Sequence, residues 1–247
     1  MPAFSKTLKK WLLDSYDYIG LVLASSLLWF GIALGGFAAI KAGFGGNLFA
    51  LFASAALFYV LLIAPMTAGV YLMAKKVVTR DEPSLLDILR GFRDYLKASW
   101  ALGLAQVVIT LLIAVNSWFY LTCGAVALKL LGILFAYMLL FWALSAVYHF
   151  PVLIEQRPGV LKVLERGVLL MMDNVAFTGG VFFVIILLTC FCVITIFGLP
   201  LLYIGMMSVL KTRALRALFV KYGLLEPERE YVPEDVADDA RSHPKGN

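Results

Sequence analysis

The sequence predicts an all-α fold: a polytopic integral membrane bundle of about six transmembrane helices, with amphipathic helices lying on one membrane surface. Three observations predict it. The 247-residue chain is 62% hydrophobic and only 15% charged, with a mean hydropathy of +0.90; a soluble domain holds about 45–50% apolar and about 25% charged residues. Its apolar residues gather into runs of the roughly 20 residues that cross a hydrocarbon core. Its charges fall almost wholly on one side of those runs.

Residues 1–17 make a basic N-terminal segment with Lys6, Lys9 and Lys10. The first span, 18–40, is too long for the apolar region of a secretory signal and ends in no A-x-A site, so it is expected to be retained. Gly31 and Gly35 form a GxxxG step, extended by Ala39, that allows close helix contact within the chain or with a partner. A Gly-rich link leads to the second span, 48–74, where Pro65 interrupts the helical hydrogen-bond ladder. In the polar stretch that follows, Leu85, Ile88, Leu89, Phe92 and Leu96 repeat at helical spacing. Asp87, Arg90, Arg93, Asp94 and Lys97 take the opposite face, which predicts an amphipathic surface helix. Ser84 with Asp87 makes a weaker form of the capping box.

Spans at 98–121 and 125–150 come next. The second polar stretch carries Pro158-Gly-Val-Leu-Lys-Val-Leu-Glu-Arg-Gly, which can be laid over Pro83-Ser-Leu-Leu-Asp-Ile-Leu-Arg-Gly with one insertion. The match suggests two units of span, surface helix, span; a coincidence of leucines is the alternative. Asp173 and Asn174 are placed to cap the span at 174–197. Gly198-Leu199-Pro200 makes a turn, and the last span, 199–216, loses its purely apolar character after Leu210. Five spans plus a half-inserted basic helix is therefore the other reading of this region. Residues 224–247 read as a disordered acidic tail, with seven acidic residues, three basic residues and three prolines from Glu226 onward.

Of the twenty-one Lys and Arg, three precede the first span, six lie in 75–97, three in 151–166 and seven after Leu210. Only Lys41 and Lys129 lie on the other side, so the positive-inside rule puts both termini in the cytoplasm. All sixteen acidic residues share that side. The net charge of +5 is thus read as membrane-orienting, with no nucleic-acid partner. Lys75, Lys76, Arg90, Arg93, Lys211, Arg213 and Arg216 are the basic residues expected at the membrane surface, beside anionic lipid headgroups.

No phosphate loop, HExxH, GxSxG or CxxC motif occurs, and the only histidines are His149 and His243. Cys123, Cys190 and Cys192 read as small apolar fillers. The protein is expected to be non-enzymatic, without metal or cofactor. Polar residues inside spans are costly in lipid and face a bundle or a cavity. Thr67, Tyr71, Gln106, Thr110, Asn116 and His149 are the candidates for a polar pathway; ordinary interhelical hydrogen bonding, worth about 0.6–2 kcal/mol per contact, is the competing reading. Pro65, Pro151 and Pro200 are candidate helix breaks, with Thr67 placed to satisfy the carbonyl that Pro65 frees.

The segment Ala64-Pro-Met-Thr-Ala-Gly-Val-Tyr-Leu-Met-Ala-Lys-Lys-Val-Val-Thr-Arg-Asp-Glu and its continuation Leu89-Arg-Gly-Phe-Arg-Asp-Tyr-Leu-Lys-Ala-Ser resemble the YesL-like family of small bacterial multi-pass membrane proteins. Ser26-Leu-Leu-Trp-Phe is similar to that family's first span, and Tyr148-His-Phe-Pro-Val-Leu-Ile-Glu to its second-half signature. The stretch Gly35–Val60 departs from the family by adding a span or lengthening the first hairpin. Glu155 also departs, where an Arg would be expected nearby. The family has no established activity, and its members are often encoded beside carbohydrate-uptake systems. The resemblance implies a bacterial cell membrane protein accessory to transport, with permease subunits of a sugar importer as partners. A small-solute transporter in its own right, a lipid-interacting protein and a homo-oligomer are the other expectations.

Overall fold

The computed structural model describes residues 4–44 and 47–226. It is 90% helical, with no strand among the described residues. Its helices are α1 (Phe4–Asp17), α2 (Ile19–Phe44), α3 (Leu48–Phe58), α4 (Ala64–Thr79), α5 (Leu86–Asp94), α6 (Leu96–Thr122), α7 (Val126–Gln156), α8 (Val160–Asp173), α9 (Val175–Thr195) and α10 (Ile204–Lys221). A π turn, Tyr59–Ile63, joins α3 to α4 without a break, and a second, Leu199–Tyr203, opens α10. Of the acidic tail expected over 224–247, Leu225 packs against the core, and residues 227–247 lie outside the described residues.

Five helices are long and apolar enough to cross a membrane: Ile19–Gly43, Leu48–Thr79, Leu96–Thr122, Val126–Gln156 and Val175–Thr195. Only 17–22% of their most apolar stretches is buried within the bundle. Rows of Leu, Phe and Ile face outward on α2, α3, α6, α7 and α9. A contiguous apolar surface of this extent needs lipid, not water, as its solvent, and the chain is a multi-pass helical membrane protein.

The last traverse is of another kind. At one end of α9 the Thr189 hydroxyl donates to Tyr203 at 3.3 Å. At the other end Asn174 Nδ2 donates to the Tyr222 hydroxyl at 2.7 Å, and Lys221 Nζ donates to Asn174 Oδ1. The segment 199–222 therefore runs back along α9 within the bundle, and by length and composition it does not add the expected sixth apolar span to the five. It fails as an apolar span because protein surrounds it: Val209, Leu210, Ala214, Leu215 and Leu218 are at most 1% exposed. A helix clad by other helices can carry cations that a lipid-facing one cannot. Asn174 consequently holds the end of α10 and makes no side-chain cap on α9.

Charges gather at the end of the bundle where α1 and the last turns of α10 meet. Asp14 pairs with Arg213, Glu155 with both Lys75 (3.1 Å) and Arg216 (2.9 Å), and Asp17 with Arg80 (3.2 Å). Residues 4–17 of the basic N-terminal segment are thus an amphipathic helix locked to α10, and Trp11 Nε1 donates to the Met206 carbonyl at 3.0 Å.

The two-unit pattern is visible in space. α4 ends at Arg80 and α7 at Arg157, both left-handed (φ 58° and 49°). A proline and an amphipathic helix, α5 or α8, follow each, then the next span. A Cβ on Gly91 of α5 would meet Gly69 Cα, Leu72 Cβ and the Ala68 carbonyl; one on Gly167 of α8 would meet the His149 ring and the Ser145 carbonyl. Ala68 and Ser145 each lie twelve residues before the left-handed arginine, and Leu72 and His149 each eight before it. The same glycine contact thus recurs in both units, which favours a repeat over a coincidence of leucines. Ile88 and Val163, both fully buried, fill the same place beneath the two surface helices.

Candidate functional site

Pro65 has no N–H to give to Leu61, four residues earlier. The helix widens into the π turn just before it. Trp100 Nε1 of α6 donates to the freed Leu61 carbonyl at 3.0 Å. Thr67, expected in that role, donates instead to Ile63 O at 2.8 Å and accepts from Trp29 Nε1 at 3.0 Å. π turns of this kind are frequent at functional sites, and this one swings Tyr59 toward α6.

Beyond the turn, a chain of polar groups crosses from α3 to α7. The Tyr59 hydroxyl donates to Gln106 Oε1 at 3.0 Å. Gln106 Nε2 lies 3.1 Å from His149 Nδ1. An amide nitrogen only donates, so Nδ1 accepts and the ring proton sits on Nε2. That nitrogen faces Ser145 Oγ at 3.5 Å, and Ser145 in turn donates to the Trp142 carbonyl at 2.8 Å. The Trp142 ring packs 5.0 Å from the His149 ring, and its Nε1 donates to Thr110 at 2.9 Å. His149 is fully buried and lies within electrostatic reach of Lys211 on α10.

Gln106, Thr110 and Tyr59 also form the floor of a cleft of 620 Å³ between α3 and α6, whose other walls include Phe49, Phe52, Ala53 and Leu111. Packing explains the opening. α6 touches the π turn at Gly103, where a Cβ would lie 2.9 Å from Ala64 Cβ and 3.6 Å from Val60 Cα. Past that contact α3 follows α2, held where Gly36 admits the Phe58 ring, and a gap is left against α6.

Three of the six expected polar residues therefore converge: Gln106, Thr110 and His149. Thr67 is tied to its own helix and to α2. Tyr71 is a core residue, stacked on Phe150 with ring centroids 5.6 Å apart. Asn116 donates to Leu112 O on its own exposed face. Of the expected breaks, Pro65 follows a π turn and Pro200 lies in one, whereas α7 runs helically through Pro151 to Gln156. Tyr59, Trp142 and Ser145 were not singled out by the sequence. Trp142, Ser145 and His149 share one helix face at i, i+3 and i+7, a signal that was available.

The basic residues expected on the membrane surface divide. Arg90 and Arg93 are exposed, Arg90 with one nitrogen 3.3 Å from Asp87. Lys75, Lys76 and Arg216 are drawn into ion pairs, Arg213 is buried against Asp14, and Lys211 is half-buried within electrostatic reach of His149. At the first surface helix, Asp87 Oδ2 accepts from the Ser84 N–H at 2.9 Å and the Leu86 N–H donates to Ser84 Oγ at 3.3 Å, the cap expected there. Burial works against the charged Asp87 carboxylate. The Lys76 hydrogen bond, the Ser84 N–H and the charges of Lys76 and Arg90 outweigh it and hold the carboxyl below its ordinary range. Gly31 and Gly35 face open space, with nothing within 4 Å of a Cβ; among the described residues they do not pack against another helix.

No family model matches the chain, and no curated protein or solved structure matches it.

Proposed function

We propose that this protein is a non-enzymatic accessory component of a transport system in a bacterial cytoplasmic membrane, with both termini in the cytoplasm. The observation that carries the reading is the dispersal of the interior polar residues. Thr67 and Asn116 are bonded within or beside their own helices, Tyr71 is stacked in the core, and only Gln106, Thr110 and His149 meet. A through-path for a solute needs a polar row along the bundle, and this arrangement ends as a blind cluster. The charged end supports the same reading. Its ion pairs make a rigid platform on which α5 offers Leu86, Leu89, Arg90 and Arg93 outward. By the resemblance to YesL-like proteins, its partners are the permease subunits of a sugar importer, with membrane lipids around them.

Cross-linking in native membranes, then purification of this chain and mass spectrometry, tests the proposal. Recovery with permease subunits in fixed stoichiometry is expected. Recovery of this chain alone sinks it and favours a self-sufficient transporter, for which the cleft would be the solute site. Recovery as a dimer would direct attention to the open Gly31–Gly35 face of α2.

A further inference from the structure

We infer that the cleft between α3 and α6 is a binding site for an uncharged, carbonyl-bearing molecule dissolved in the bilayer, of the quinone type. The size suits a small molecule, since such sites run about 300–1,000 Å³ and this one holds 620 Å³. Its chemistry is read from which protons are already committed. Thr110 accepts from Trp142 Nε1, so its own O–H is left to donate. Gln106 gives one amide proton to His149, accepts from Tyr59, and keeps a second proton. The Tyr59 proton is committed to Gln106. The floor thus presents two donors one helical turn apart on α6, and their complement is an oxygen that only accepts.

Charge and depth narrow the class further. The residues lining the cleft are Phe, Ala, Tyr, Gln, Val, Thr and Leu, with no ionisable carboxylate, amine or guanidinium among them. Gln106 lies ten residues into the 27-residue apolar α6, about 15 Å along the helix, well within a span long enough to cross a hydrocarbon core about 30 Å thick. A phospholipid headgroup does not reach that depth without a large penalty; a neutral carbonyl compound does. Phe49 and Phe52, 83% and 71% exposed, are unpartnered aromatic faces at the cleft's edge, suited to a flat ring. His149 fixes the Gln106 amide from behind, and Trp142 fixes Thr110. Both are positioning residues.

The test uses the full chain in nanodiscs of neutral phospholipid, titrated with a decyl-substituted benzoquinone and followed by tryptophan quenching, Trp142 being beside the floor. Saturable binding is expected, with decylbenzene, which has the tail and ring but no carbonyl, failing to compete. Thr110→Val and Gln106→Leu should each weaken binding about 3- to 10-fold, the usual effect of one lost hydrogen bond. Thr110→Val leaves the Gln106–His149 contact intact, so it reports on the site even if Gln106→Leu folds poorly. Equal competition by decylbenzene, or affinity unchanged in a folded Thr110→Val protein, overturns the inference. So does an Ala53→Cys variant that cross-links to a second copy in membranes, because the cleft would then be a protein interface.

Discussion

The two repeated units share a backbone and differ in what fills it. Gly91 rests on Ala68 and Leu72 in the first, and Gly167 on Ser145 and His149 in the second. The first unit shows that apolar residues suffice to seat a surface helix on a span. The polar pair in the second is therefore not required by the fold. A buried imidazole in a membrane interior costs free energy unless it is hydrogen-bonded, and here Gln106 supplies that bond from a different helix. Polarity has been added at one of two equivalent places, beside the cleft.

The largest expected effect tests whether the glycine contacts are equivalent. A Cβ at Gly91 would lie 2.7 Å from Gly69 Cα, which is backbone and cannot yield; at Gly167 the nearest atom is 2.6 Å away but belongs to the His149 side chain. Gly91→Ala is expected to cost about 3 kcal/mol and Gly167→Ala about 1 kcal/mol, measured by thermal unfolding of the purified protein. Equal losses would mean that the His149 ring is as immovable as backbone. His149→Leu next writes the first unit's residue into the second. It strands the Gln106 amide, so a double-mutant cycle with Gln106→Leu should show a coupling of about 0.6–1.7 kcal/mol. Strict additivity of the two substitutions would deny that the pair interacts.

A smaller effect separates the prolines. Pro65 stands after a π turn and Pro151 within regular helix, although both lie where a span nears its charged end. Trp100→Phe removes the donor to the Leu61 carbonyl and is expected to cost about 1 kcal/mol, and Pro65→Ala should abolish that cost by restoring a backbone donor. If Trp100→Phe is as costly in the Pro65→Ala background, the indole acts through packing and not through its hydrogen bond.

The apolar spans were legible in the sequence because lipid imposes a length and a composition that nothing else in the chain must meet. The repeat was legible too, since Pro83…Gly91 and Pro158…Gly167 preserve the two residues whose backbone roles are least replaceable. The packing of α10 was not. Hydropathy reports what faces lipid, and Arg213 is buried against Asp14, so its run reads as a surface helix. The convergence of Gln106, Thr110 and His149 was legible only as a set of candidates. Which of six polar residues meet depends on crossing points such as Gly103 against Ala64, and those belong to the tertiary structure. Tyr59 carried no signal at all, because the π turn that aims it goes with the Leu61 carbonyl that Pro65 frees and Trp100 takes, 39 residues further along the chain.

The finest contrast lies under the two surface helices. Asp87 of α5 aligns with Lys162 of α8, so only the first helix is fastened by a buried carboxylate, to Lys76 of α4 at 2.8 Å, with Arg90 of its own helix 3.3 Å from the same oxygen. The folded protein holds the Asp87 carboxyl below its ordinary range. A depressed value means that the unfolded chain binds the proton more readily, so the stabilisation is fully present above the ordinary aspartate value of about 3.9 and is lost as pH falls through the lower folded value. Amide exchange should therefore speed up in 86–94 relative to 160–173 as the pH is taken below about 4, with no differential change between pH 5 and 7. Asp87→Asn should remove the acid-dependent difference by making it permanent. Exchange that accelerates equally in both helices would show that acid loosens the charged end as a whole, and not the Asp87 contact alone.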